Sequence, residues 1–208
     1  MTELKPVIVD YGAGNLRSVV NAVRYIGVEP FVSNTAADIV RAPAVILPGV
    51  GAAACVMEGL NKYGLREALT DFIVRDRPFL GVCLGLQTLF EVTDEGGGCV
   101  CLGVVAGKVK KFSSGLKIPH MGWNQVKQKK AHPIFTDIAD GADFYFVHSY
   151  YGTPDDPELA AGETDYGVNF CSVLAKGNLV ATQFHPEKSG LDGLKIYTNF
   201  LKMAGAVC

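Results

Sequence analysis

In the first half of the chain, short apolar runs alternate with stretches whose apolar residues recur at helical spacing. Val7-Ile8-Val9 is a run of buried-strand type, and Gly12-Ala13-Gly14-Asn15 is a turn. Leu16, Val19, Val20, Val23 and Ile26 then share one face of a helix that Gly27 stops. Pro30-Phe31-Val32 and Val45-Ile46-Leu47 predict a second and a third strand, the latter ending at Pro48-Gly49. Leu65, Ala68, Leu69, Phe72 and Ile73 predict another amphipathic helix. Residues 78–82 predict a fourth strand and residues 84–90 a helix directly after it. This rhythm predicts a parallel sheet with helices on both faces, in which ligands bind beyond the C-terminal ends of the strands. The turns after Val9, Leu47 and Val82 are the candidates.

The second half is richer in strands. Residues 103–112, 123–126 and 144–151 read as extended. Two further runs, 170–175 and 179–184, flank the hairpin turn Lys176-Gly177-Asn178. Ser189 is placed to cap a last helix with Leu194, Tyr197, Leu201 and Ala204 on one face. No repeat, low-complexity stretch or linker interrupts the pattern, which predicts one domain over residues 1–208.

Composition narrows the function. Half-apolar content (49%) in 208 residues is enough for a sizeable core. A net charge of −2 lacks the basic excess of a nucleic-acid or anionic-membrane binder, and Lys127, Lys129 and Lys130 read as a solvated edge. The start has no basic-then-apolar leader, and the longest uncharged run, 44–57, is broken by Pro48, Gly49 and Gly51. A cytoplasmic chain is expected. Its six cysteines should then be reduced, and with no Cys-x-x-Cys pair no metal site is expected.

Gly81-Val82-Cys83-Leu84-Gly85, between a strand and a helix, is the cysteine form of a nucleophile elbow. The sharp turn lifts the thiol to the sheet edge, the glycines avoid clashes, and the helix N-terminus favours thiolate. The Leu84 N–H points where an oxyanion would form. A buried cysteine between packing glycines is the plainer alternative. The base must come from four histidines, at 120, 132, 148 and 185. His132 reads as a surface turn and His120 as a loop. His148 and His185 each follow an apolar strand. His185 carries Glu187 two residues on, behind a rigid proline, whereas Ser149 and Tyr150 after His148 suit ligand binding. Pro48-Gly49-Val50-Gly51 could complete an oxyanion hole or simply end a strand. Gly12-x-Gly14 lacks the third glycine of a dinucleotide site, since position 17 is Arg.

Taken together, Asp10-Tyr11-Gly12-Ala13-Gly14-Asn15, Pro48-Gly49-Val50-Gly51, Gly81-Val82-Cys83-Leu84-Gly85, Pro119-His120-Met121-Gly122-Trp123-Asn124, Val147-His148-Ser149-Tyr150-Tyr151 and Gln183-Phe184-His185-Pro186-Glu187 resemble the class I glutamine amidotransferases. Within that family they look most like the glutaminase subunits of imidazole glycerol phosphate synthase. The resemblance implies a flavodoxin-like α/β fold with a central, mostly parallel sheet and an additional antiparallel part. It implies a triad of Cys83, His185 and Glu187, with the N–H groups of Leu84 and, after a peptide flip, Val50 as oxyanion hole. Glycine at 49 reads as the residue that permits the flip. It also implies glutamine binding by Gly49, Gly51, Gln87, Glu95, His148, Ser149 and Tyr150. Asn15, Trp123, Tyr145 and Lys188 would face a (β/α)8-barrel cyclase in a heterodimer, with no cofactor. The glycine-rich stretch 96–98 after Glu95 departs from the family pattern. The competing readings are a glutaminase for another synthase, a stand-alone cysteine hydrolase on a similar sheet, and a non-catalytic binding module.

Overall fold

A computed structural model of the chain describes residues 5–13, 15–113 and 115–205; Gly14 and Cys208 lie outside them. Strands β1 (Val7–Val9), β2 (Phe31–Ser33), β3 (Val45–Gly49) and β4 (Phe79–Cys83) form where the apolar runs predict them. Between them run helices α1 (Leu16–Tyr25), α2 (Ala36–Arg41), α3 (Ala53–Lys62) and α4 (Arg66–Val74), and α5 (Leu84–Gln87) follows β4. Helix α1 buries Val19, Ala22 and Val23 and stops at Gly27. That residue takes φ 85°, and the Gly27 and Val28 amides donate back to Arg24 and Val23. Glycine reaches this left-handed cap without the Cβ penalty of other residues. Helix α2 is too short to show a period, whereas α3 carries one in Ala53, Val56, Met57 and Leu60 that the sequence reading leaves out.

The second half supplies β5 (Val92–Thr93), β6 (Cys99–Val100), β7 (Gly107–Lys111), β8 (His120–Gln128), β9 (Ala142–His148), β10 (Tyr150–Pro154), β11 (Ala160–Asp165), β12 (Asn169–Lys176), β13 (Leu179–Thr182) and α6 (Gly190–Met203). A nine-stranded sheet runs in the order β2-β1-β3-β4-β13-β12-β11-β8-β9. It is parallel through β13 and antiparallel beyond. The β12–β13 hairpin turns through Gly177 and Asn178, as the sequence predicts. A smaller four-stranded sheet has the order β10-β7-β5-β6.

Two cores cover the large sheet. Val7, Val9, Val45 and Leu47 pack with α2, α3 and α4 on one face, while Ile8, Ile46, Leu80 and Val82 pack with α1 and α6 on the other. The alternation of a pleated strand divides them. Each fully buried Leu, Ile, Val or Phe contributes about 1.5–3 kcal/mol.

The sequence reading needs three corrections here. Residues 103–106 bend rather than form strand, because the Gly103, Val104 and Val105 amides bond to the Phe90 and Leu89 carbonyls after α5. The predicted strand 144–151 breaks at Ser149, so β9 ends one sheet and β10 begins the other. Ser189 stands at the start of α6 but does not cap it. Its hydroxyl donates to the His185 carbonyl (2.7 Å) and accepts from the Tyr145 amide (3.0 Å), which ties the turn before α6 to β9.

Candidate active site

The ends of β3, β4 and β13 meet the β9–β10 junction around a cavity of about 360 Å³. Cys83, Leu84 and His185 line it, with Val50 and Gly51 on one wall and Gln87, Glu95, His148, Ser149 and Tyr150 on the others. Lys188 stands at its rim. Gly49 lies beneath the wall, inside β3.

Cys83 takes φ 54°, ψ −105°, a backbone conformation that side chains rarely adopt. Such strain persists where the surroundings over-determine it. Here they do: a Cβ on Gly85 would stand 2.1 Å from the Leu47 carbonyl oxygen, and one on Gly81 would stand 2.7 Å from that of Gly85. Only glycines let α5 descend onto β3 and β4 this closely. Leu84 opens α5, so its N–H has no partner within the helix.

Gly49 has a requirement of its own at rest, where its φ is not positive. A Cβ there would meet Leu84 Cβ at 2.5 Å, so close approach alone calls for glycine at this position. Positive φ belongs to Gly51, at 93°, with open space around it. The Tyr11 hydroxyl near Val50 is buried and completes no hydrogen bond. Burial pushes that phenol up to about 12, an effect the Val50 amide partly offsets.

His185 follows β13 and is 2% exposed. Its Nδ1 lies 2.8 Å from Glu187 Oε1, and both side chains are 2% exposed. The other edge of the ring faces Cys83. Burial alone would lower the imidazole pKa, but the charge and hydrogen bond of Cys83 and those of Glu187 overcome it and raise it to about 10. The imidazolium form of His185 is therefore favoured, with the Glu187 carboxylate behind it. Tyr197 of α6 donates to Glu187 Oε2 at 3.4 Å, a support that its place on the helix's apolar face hid.

Both ring nitrogens of His148 are engaged away from Cys83. The residue is buried, and its Nδ1 donates to the Tyr150 carbonyl at 2.8 Å. Its Nε2 faces His120 Nδ1 at 2.9 Å. Burial, with smaller contributions from His120 and His185, outweighs the Tyr150 bond and lowers its pKa to about 3. His120, read as a loop residue, opens β8, is 3% exposed and is lowered by burial to about 4. His132 is half-buried, accepting the Ile134 amide through Nδ1.

Glu95 accepts the Ala53 amide at the start of α3 (2.6 Å), where the helix favours an anion. Beside the cavity mouth, Trp123 is 59% exposed and meets Tyr145 edge-on across β8 and β9. The Lys188 ammonium lies over the Tyr145 ring at 5.9 Å, and α1, which Asn15 precedes, packs against the turn that bears Lys188. Of the residues expected to face a partner, Trp123, Tyr145 and Lys188 thus adjoin one another.

A nucleophilic cysteine at a strand–helix elbow, paired with a histidine and a carboxylate, defines a Cys-His-Glu hydrolytic site. The family model for glutamine amidotransferase class-I matches residues 7–204, and the chain belongs to that family. It is 55% identical to imidazole glycerol phosphate synthase subunit HisH of Dehalococcoides mccartyi, over 95% of this chain and 96% of that one. It is 46% identical to the subunit of the same name from Moorella thermoacetica, over 95% and 94%. A crystal structure described as a glutamine amidotransferase shares the fold, with a TM-score of 0.75 at 17% identity and coverage of 96% and 98%.

Proposed function

We infer that the chain is the glutaminase subunit of an imidazole glycerol phosphate synthase, releasing ammonia from glutamine for a cyclase partner. The observation that carries the chemistry is Cys83 at φ 54°, facing an imidazole that Glu187 holds at 2.8 Å. The Cys83 sulfur attacks the side-chain amide carbon of glutamine. The tetrahedral oxyanion forms against the Leu84 N–H. As the C–N bond breaks, His185 gives its proton to the departing nitrogen, and ammonia and a thioester result. His185 then takes a proton from water, whose oxygen adds to the thioester. The C–S bond breaks, the electron pair returns to Cys83, and glutamate leaves. Gln87, Glu95, Ser149 and Tyr150 hold the glutamine backbone, and His148 shapes the pocket without exchanging protons.

Free hydrolysis would waste nitrogen. The positive φ and open surroundings of Gly51 support an oxyanion hole that the partner and its nucleotide complete by shifting the 49–51 segment. The partner is a (β/α)8-barrel cyclase forming a heterodimer through Asn15, Trp123, Tyr145 and Lys188, and the assembly works in the cytoplasm. Glutamate release from glutamine, measured for the chain alone and with cyclase and nucleotide, tests this reading. Slow hydrolysis alone with a large rise in the mixture is expected. Fast hydrolysis unaffected by the cyclase would assign the chain to another synthase. What speaks against a plain binding module is that Cys83 and His185 line one cavity while Glu187 holds the imidazole from behind.

A further inference from the structure

One buried polar chain reaches Cys83 without passing through the triad. It starts on β8. The Asn124 side-chain oxygen accepts the Gln125 amide at 2.8 Å, so its NH2 must face the other way. That group donates to the Asp165 carbonyl (3.0 Å) and to His120 Nε2 (3.1 Å). At the far end of the histidine pair, the Tyr150 carbonyl only accepts, so His148 Nδ1 carries a hydrogen and its Nε2 is an acceptor. His120 Nδ1 must therefore donate to His148 Nε2. Phe146 and Tyr166 stack on either side of the His120 ring, with centroids 4.9 and 4.0 Å away, and prevent it from turning.

The Tyr150 carbonyl also accepts from Gln87 Nε2 at 2.9 Å. The same nitrogen donates to Gln183 Oε1 at 3.1 Å. With its oxygen committed, Gln183 turns its own NH2 toward Cys83 Sγ, 3.7 Å away. Gln183 is 0% exposed and Gln87 2%. A buried amide has no reason to meet a thiol at such cost unless it is repaid, and sulfur is a far better acceptor as thiolate than as thiol. Gln183 and His185 lie two residues apart just after β13, with Phe184 between them stacked on Phe144.

We propose that Gln183 is a catalytic residue that donates a hydrogen bond to the Cys83 thiolate, and that Gln87, Tyr150, His148, His120 and Asn124 are positioning residues that hold it in this orientation. The proposal rests on Cys83 being the nucleophile. Gln183 acts twice, stabilising the thiolate before attack and again when the thioester collapses and the electron pair returns to sulfur. It complements His185, because an amide keeps its donor while the imidazole gives and takes a proton. The other titratable or charged groups around the thiol are His185 and Glu187 after β13, Tyr11 after β1, and Glu95 and Lys188 in the cavity.

The test is the rate at which iodoacetamide alkylates Cys83, located by peptide mapping, in the intact chain and in Gln183→Met and Gln183→Glu. Methionine fills similar space without an N–H. Glutamate is near-isosteric, keeps an acceptor for Gln87 and sets an oxygen against the sulfur, so it carries the test if the methionine variant does not fold. Near neutral pH, alkylation should slow about tenfold in Gln183→Met and further in Gln183→Glu, the loss of a bond to a charged group. At strongly alkaline pH, where every variant is driven to thiolate, the rates should converge. With cyclase and nucleotide present, kcat should fall with little change in KM. Unchanged neutral-pH rates in a folded variant, or equal slowing at both pH values, overturn the proposal. If alkylation of Cys83 in the parent leaves glutaminase activity intact, the nucleophile assignment itself fails. If activity is lost but the variants alkylate like the parent, only the role of Gln183 fails.

Discussion

Acidification is a direct probe of the buried histidine pair. His120 and His148 are neutral in the fold, lowered by burial to about 4 and about 3, while the unfolded chain holds ordinary imidazoles near 6.5. Below pH 6.5 the unfolded state therefore binds more protons, and stability falls as pH falls toward the folded values. Between about pH 7.5 and about pH 5 each ring costs about 2 kcal/mol, about 4 together. His132, also lowered by burial, adds to the same side. His185 works in the opposite sense. Raised to about 10, it contributes stability that is complete below 6.5 and lost as pH climbs through 10. Over the same interval it returns about 1 kcal/mol, which leaves a net loss of about 3 kcal/mol. Urea unfolding at the two pH values measures the loss. Two-dimensional NMR correlating imidazole carbon-bound protons with ring nitrogens should show both residues as uncharged Nδ1–H tautomers at the lower pH. Either ring titrating near 6.5, the opposite tautomer, or a stability equal at both pH values would refute the reasoning.

Three other outcomes are expected. Gly85→Ala should cost more than about 3 kcal/mol in urea unfolding, because its Cβ meets the Leu47 carbonyl at 2.1 Å; Gly51→Ala, strained at φ 93° but in open space, should cost about 1 kcal/mol. Glu187→Gln removes an anion that helps hold His185 protonated, so the alkaline limb of the glutamate-release profile should move toward neutral pH. An unmoved limb would mean that Cys83 alone sets it. Trp123→Ala, at an exposed side chain that adjoins Tyr145, should weaken binding of the cyclase at least tenfold by calorimetric titration.

The chain's local pattern was enough to place the first four strands, α1, α4 and α6, because each buries one face at a regular period. It also marked the elbow, since glycine on both sides of a cysteine between strand and helix has few other uses. The family resemblance named the triad, and the fold brings Cys83, His185 and Glu187 together. What the period could not carry was any feature set by contacts between distant segments. Ser189 reads as a cap from its neighbours alone, yet its hydroxyl is claimed by the His185 carbonyl and the Tyr145 amide. Glycine at 49 reads as flexibility, but the fold needs it because Leu84 arrives 2.5 Å from where a Cβ would be. Residues 144–151 read as one strand because the apolar run is continuous, and only the second sheet reveals the break at Ser149. The residues themselves left both His148 and His185 as candidate bases, and the fold distinguishes them by partners 28 residues away in one case and two in the other. A side chain's role in this site depends on which neighbour takes its hydrogen bond. Periodicity records which face of an element is buried, but the buried polar atom that waits there is set by tertiary packing.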